Sequence, residues 1–282
     1  MRRAVAGFRY LGAVVALLVT SVSAIAAAES ASQQSVAAGG AGSASLIFSA
    51  GGGTASRVFR YYDGRSPQLR TYDLAAAPDL AVAAEIYPFA RLAVPVLRGL
   101  GVSGAFEHAL DLSSQTSSGT RVGTNWQRAE GDLRLRFAFG EDLADEARFV
   151  LGLHGGVVKE TFSFNGDASL VASLPDVDYL FGRAGADGRL RLGPIALMAG
   201  ASYLPAIRGG EFADRFRGTS FAAVEFGGGL AVPMVPRIFE LRANADYTRV
   251  FYAFHPIPGD PYVAGGALDH LVRVRVLATL LL

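Results

Sequence analysis

The last fourteen residues, Asp269 to Leu282, alternate without a break between two kinds of position. Odd positions carry Asp269, Leu271, Arg273, Arg275, Leu277, Thr279 and Leu281, and even positions carry His270, Val272, Val274, Val276, Ala278, Leu280 and Leu282. Successive side chains of a strand point to opposite faces, so the segment predicts a strand with one apolar face and one face bearing two arginines. A helix would spread Arg273 and Arg275 around its circumference.

Nine segments upstream are read in the same way. The first, between Ser45 and Tyr61, is the least regular, because Leu46, Phe48, Val58 and Phe59 are interrupted by Gly51 to Gly53. The second sets Leu80, Val82, Ala84 and Ile86 against Asp79, Ala81, Ala83 and Glu85, and the third sets Val102, Gly104, Phe106 and Leu110 against Ser103, Glu107 and Asp111. In the fourth, Leu133, Leu135, Phe137 and Phe139 oppose Glu130, Asp132, Arg134 and Arg136, and in the fifth Phe149, Leu151, Leu153 and Val157 oppose Arg148, Gly152 and His154. The sixth places Leu180, Ala184, Ala186, Leu190 and Leu192 opposite Arg183, Asp187, Arg189 and Arg191. The seventh alternates Ile195, Leu197, Ala199, Ala201 and Tyr203 with Ala196, Met198, Gly200 and Ser202, and the eighth alternates Ala222, Val224, Phe226, Gly228 and Leu230 with Ala223, Glu225, Gly227 and Gly229. The ninth opposes Phe239, Leu241, Ala243, Ala245 and Tyr247 to Glu240, Arg242, Asn244, Asp246 and Thr248.

The links between these ten strands alternate in length. Asp63 to Ala77, Ser113 to Thr124, Ser163 to Asp176, Pro205 to Gly218 and Phe254 to Gly266 are long and polar. Gly140 to Glu146, Gly193 with Pro194, and Pro233 to Pro236 are short, while Pro88 to Leu100 is longer than its class. All long links therefore project from one end, and an even strand number returns the chain to the end at which it starts.

Periodicity alone fits a soluble β-sandwich or lipocalin-like binder as well as a membrane barrel, since the same two-faced strand serves either one turned inside out. Three features favour the barrel. The segments run to the ~9 to 11 residues that a tilted membrane strand needs. Aromatic residues gather near strand ends on the apolar face, at Phe137, Phe139, Phe149, Tyr203, Phe239 and Tyr247, with Trp126 and Tyr179 placed beside long links as interfacial rings. The opposite face carries nearly balanced charges: Glu85, Glu107, Glu130, Asp132, Asp187, Glu225, Glu240 and Asp246 against Arg134, Arg136, Arg183, Arg189, Arg191, Arg242, Arg273 and Arg275, joined by Asp111 and Arg148. Charges confined in a polar interior are expected to pair, and the arginine fork suits that role.

Composition narrows the class further. The chain has 282 residues, no cysteine, a formal charge of +1 and 51% apolar residues, which argues against disorder, a nucleic-acid partner, a disulfide framework or a zinc-thiolate site. Arg2, Arg3 and Arg9 precede the apolar run Leu11 to Val19 and small residues ending at Ala28, which is the pattern of a signal peptide over residues 1–28, cut after Ala26 or Ala28. Its removal takes away three arginines and no acid, leaving a charge of about −2. Residues 29–43, rich in Ser, Ala, Gly and Gln, form a flexible lead-in, and 44–282 form the barrel. Beyond the leader no apolar run has helix-spanning length, so membrane entry requires a closed barrel.

The leader, the alternating strands, the loop asymmetry and a last strand running to Leu282 resemble those of small bacterial outer-membrane β-barrel proteins. Such chains usually finish in Phe or Trp, and this one finishes in Leu. The resemblance implies a Gram-negative outer membrane, a single antiparallel up-and-down barrel of about ten strands (eight being the smaller option), and partners that include outer-membrane lipid, the barrel-assembly machinery and an unidentified extracellular ligand. A ten-stranded interior should be largely filled by its arginines and glutamates. The expected role is a structural or surface-recognition protein working through its long loops, with a narrow porin-like channel for small solutes as the alternative and a barrel enzyme as a further one.

Neither enzymatic activity nor a cofactor is expected. His108 and His270 fall on the apolar face near loop ends, His255 lies in a Pro-rich link, and His154 faces the lumen, where hydrogen bonding within the charge network accounts for it. No pattern matches the barrel proteases or lipid A deacylases, and Glu141 with Asp142 sits on a short turn at the wrong end. Gly227 to Gly229 lacks the lysine and the strand-to-helix context of a phosphate loop.

Overall fold

Every alternating segment becomes a strand, and each pairs with its neighbours in an antiparallel ladder. In the computed structural model the described residues are 41–66, 69, 71–110, 113–115, 121–141, 147–165, 176–210, 215–216 and 218–282, within one unit, Gly39–Leu282. The leader, residues 29–40 of the lead-in, Asp111 and Asp142 lie outside them.

The strands are β1 (Leu46–Tyr62), β2 (Tyr72–Ile86), β3 (Leu100–Ala109), β4 (Ser113–Gln115), β5 (Arg121–Glu141), β6 (Ala147–Asn165), β7 (Val177–Leu192), β8 (Ile195–Arg208), β9 (Ser220–Val235), β10 (Phe239–Ala253) and β11 (Gly266–Leu281), with one short helix, α1 (Pro95–Arg98), in the link between β2 and β3. Consecutive strands pair from β5 through to β11, β11 pairs with β1, and β1, β2 and β3 lead back to β5, so ten of the described strands close a ring. The short β4 pairs only with β5, where it prolongs the β3 stave. This is an all-β, up-and-down barrel whose ten described staves close the sheet on itself.

The strands are longer than the alternation predicts. β5 has 21 residues and β6 has 19, and the predicted long links lose residues to them: 72–77 belong to β2, 121–124 to β5, and 205–208 to β8. An antiparallel ladder gains hydrogen bonds wherever two strands already run side by side, so pairing continues past the apolar stretch. β1 likewise runs unbroken through its glycines. At the other end, Gly193, with φ of +61°, and Pro194 make a two-residue turn between Leu192 and Ile195, the conformation that glycine admits freely.

The two faces are where the alternation places them. On β11, residues 271, 273, 275, 277, 279 and 281 are buried, while Val272, Val274 and Val276 are exposed. The same apolar exposure runs around the ring, through Leu80 and Val82, Val102 and Phe106, Leu133 (66% exposed), Leu153, Leu197, Phe226 and Leu230. A water-soluble monomer rarely exposes contiguous apolar surface beyond a few hundred Å2. A continuous girdle of this kind excludes the sandwich reading and fits hydrocarbon.

Candidate functional site

The lumen holds the charged side chains, and their bonds cross it. Glu225 of β9 is the hub. It accepts from Arg128 of β5 at 2.7 Å, Arg183 of β7 at 3.1 Å, Arg273 of β11 at 2.7 Å and the Thr248 hydroxyl at 2.9 Å. Between β5 and β9 the ring places β6, β7 and β8, so the Arg128 to Glu225 bond spans the interior. Arg183 also reaches Glu130 at 3.0 Å and Asp132 at 3.1 Å. Arg273 and Arg275 both donate to Glu107 across the β1 and β2 staves, and Arg275 adds Asp246.

A second group lies nearer the short-turn end. Arg134 meets Asp187 at 2.6 Å and Glu85 at 3.5 Å, and Glu240 receives both Arg189, in a two-pronged contact at 2.7 and 2.9 Å, and Arg242 at 2.6 Å. Arg136 takes another route. It donates to the carbonyls of Ala41 and Ala44 at 2.8 and 2.9 Å, and its guanidinium lies 3.7 Å from the Tyr87 ring centroid. These contacts hold the segment before β1 against the inner wall. Arg191 bonds the Gly193 carbonyl at the turn, and Arg148 is exposed at the same end. His154 contacts Asp187 and Ser202. His270 contacts Tyr247 on the outer face at 2.7 Å, and His255 contacts the Gly218 carbonyl at 2.9 Å.

Toward the long-loop end the interior changes character. Phe59, Trp126, Val158, Phe162, Tyr179, Phe181, Leu204, Val250 and Tyr252 are buried together, with Phe216 stacked on Phe254 at 4.0 Å beyond them. Trp126 (3% exposed) and Tyr179 (1%) therefore face inward instead of lying at the lipid interface. The reason is register. Trp126 shares its parity with Arg128 and Arg134, and Tyr179 shares its parity with Arg183, so strands that continue past the membrane turn both rings into the barrel. Trp126 donates to Glu160 at 2.8 Å. Embedded in this layer, Arg57 grips Asp269 with Nε at 3.0 Å and a terminal nitrogen at 2.7 Å, while the Tyr179 hydroxyl donates to the same carboxylate at 3.2 Å.

Arg57, Arg128 and Glu160 thus join Asp269, which the terminal alternation already sets on the arginine face, in the charged interior, although the charge pattern did not single those three out. Arg57 lies in the irregular first strand, and Arg128 lies just before the stretch where β5 begins to alternate. Extending strand parity outward would have found Arg128 and Glu160, which share the parity of Asp132 and of His154, whereas the irregular first strand gave no parity from which to place Arg57.

No protein-family model matches the chain, and a search of curated proteins finds no match. Among solved structures it is similar to Neisserial surface protein A, at 8% identity over 84% of this chain and 97% of that one, with a TM-score of 0.36. It is also similar to Ail, the attachment invasion locus protein of Yersinia pestis, at 10% identity over 83% and 97%, with a TM-score of 0.27. The translocator domain of the autotransporter NalP from Neisseria meningitidis matches at 13% identity over 83% and 88%, with a TM-score of 0.36. At these scores the likenesses add no weight; the closed ring, the apolar girdle and the ion-paired interior carry the assignment. By that geometry the chain is a ten-stranded transmembrane β-barrel of the outer-membrane type.

Proposed function

We propose that the barrel is a non-conducting anchor that holds its long loops at the cell surface for recognition of an extracellular ligand. The observation that carries this reading is the stacking of two interior layers, one of ion pairs that cross the lumen and one of buried aromatic rings. Arginine and glutamate side chains bonded wall to wall obstruct an aqueous path, and the buried rings above them narrow the loop-side half, which supports an anchor over a channel.

The loops have shape of their own. Arg65 donates its backbone N–H to the Val263 carbonyl at 2.9 Å, and the Val263 N–H donates to the Ser66 hydroxyl at 2.9 Å, which ties the first long link to the last. Between them lies a cleft of about 420 Å3 lined by Asp63, Arg65, Pro256, Ile257 and Pro258. A preorganised concave surface loses little ordering entropy on binding.

Planar-bilayer recording tests the anchor reading. The purified, folded protein should give no stepwise current above the detergent control. Regular single-channel steps would overturn the reading in favour of a narrow channel for small solutes.

A further inference from the structure

One group of lumen side chains does more than neutralise charge. His154, Gly185 and Ser202 stand directly opposite one another on the adjacent strands β6, β7 and β8, all on the inner face. The glycine in the middle leaves the space over β7 open. A Cβ at position 185 would come within 2.5 Å of both His154 Nε2 and Ser202 Oγ. Across that gap Nε2 lies 2.9 Å from the serine Oγ. Asp187, two residues on and facing the same way, puts Oδ2 at 3.2 Å from His154 Nδ1 and is itself anchored by Arg134 at 2.6 Å. The carboxylate selects the tautomer with the proton on Nδ1, which leaves Nε2 to accept the serine hydroxyl proton. Arg183 Nε lies 3.3 Å from Ser202 Oγ, and the rest of its guanidinium is fixed by Glu130, Asp132 and Glu225.

We propose that Ser202, with His154 as its base and Asp187 as the positioning residue, is a nucleophilic site that hydrolyses short-chain acyl esters of polar alcohols inside the lumen. His154, Asp187 and Ser202 all border a cavity of about 290 Å3, bounded toward the short turns by Tyr87 and Arg136. In the first half-reaction Oγ bonds to the carbonyl carbon while its proton passes to Nε2. The bond from that carbon to the alcohol oxygen then breaks, and His154 returns the proton to the leaving oxygen. Water, deprotonated by the same imidazole, attacks the acyl-serine, releasing the acid and restoring the hydroxyl. The Arg183 guanidinium, whose Nε–H meets Ser202 Oγ and whose terminal nitrogens are held by carboxylates, places a fixed positive charge beside the tetrahedral centre. Cavity size limits the acyl chain to a few carbons, and the polar lining favours a polar alcohol. Membrane lipid on the outer face cannot reach a site that faces inward.

The test uses the full-length protein folded in detergent and treated with a small dialkyl fluorophosphate, followed by intact mass and peptide mapping. One adduct, on Ser202, is expected, together with hydrolysis of p-nitrophenyl acetate above the micelle blank. Ser202→Ala should abolish both, and His154→Gln should slow labelling by about 100-fold or more. In Asp187→Asn the labelling rate should keep climbing with hydroxide where the wild type levels off, a change that a merely structural carboxylate would not cause. The proposal fails if heat-modifiable, folded wild type stays unmodified after exhaustive incubation, if the adduct maps to another residue, or if Ser202→Ala retains the hydrolysis. Should Ser202→Ala not fold, the position of the adduct in the wild type decides alone. A pore or a silent anchor could each carry this site, so its failure leaves the anchor reading untouched.

Discussion

At the scale of single residues, what matters is how many partners remain when one is removed. Arg273 is 2% exposed, yet its loss leaves Glu225 with Arg128 and Arg183, and Glu107 with Arg275. Arg57 has no such backup. Its partner Asp269 is fully buried, and the other contact described for that carboxylate is the Tyr179 hydroxyl. Breaking a buried pair by removing one partner costs about 3–5 kcal/mol, whereas replacing both by apolar groups is often neutral or better. Arg57→Met should therefore lower stability in urea titrations of the micelle-bound protein by about that amount, and by more than Arg273→Met does. Arg57→Met with Asp269→Leu should recover most of it, since the Phe162 ring lies 4.4 Å from the guanidinium and the surroundings are already aromatic. Equal losses in the single and double variants would count against this ranking. The alternation reveals which face each charge occupies but not its partner. Arg128 and Glu225 are 97 positions apart in sequence and meet only because the ring closes.

At the scale of strands, the seam between β1 and β11 closes the barrel, and its glycines explain the one irregular segment. A Cβ on Gly53 would lie 1.9 Å from the Val274 carbonyl oxygen, a backbone atom with no freedom to swing aside, whereas one on Gly104 would meet its nearest neighbour at 3.6 Å. Gly53→Ala should thus lower the temperature at which the folded gel band is lost, and Gly104→Ala should leave it unchanged. A neutral Gly53→Ala would mean that the strands separate at little cost. The outer face has its own test. Val274, 51% exposed, is level with Thr54 and Ala245, near the middle of its stave. Val274→Arg should cost roughly 2–4 kcal/mol in lipid vesicles, while a soluble fold would tolerate it. Strand identity, face and the position of the short turns were legible because period-two patterning is local. The strand ends were not, because Val158, Phe162, Phe181 and Leu204 put apolar side chains on the inner face where the mid-strand positions carry charges, so the apolar-out, polar-in contrast that marks a strand fades there.

For the whole molecule, the interior is built as two stacked layers in series, and that order has a consequence for conduction. Ions must pass both the belt of pairs around Glu225 and the rings around Tyr179 and Tyr252. Opening one layer leaves the other in place. On the anchor reading, removing arginines from the belt creates space there but leaves the aromatic layer above, with its Arg57–Asp269 pair, in place. Truncating the rings widens the loop-side half and leaves the cross-lumen bonds to block the rest. Arg128→Ala with Arg273→Ala, or Tyr179→Ala with Tyr252→Ala, should each remain silent in planar bilayers, and all four substitutions together should give current steps. Each protein would first have to show heat-modifiable migration, so that silence is read from a folded barrel. Current from either double variant alone would show that a single layer forms the seal.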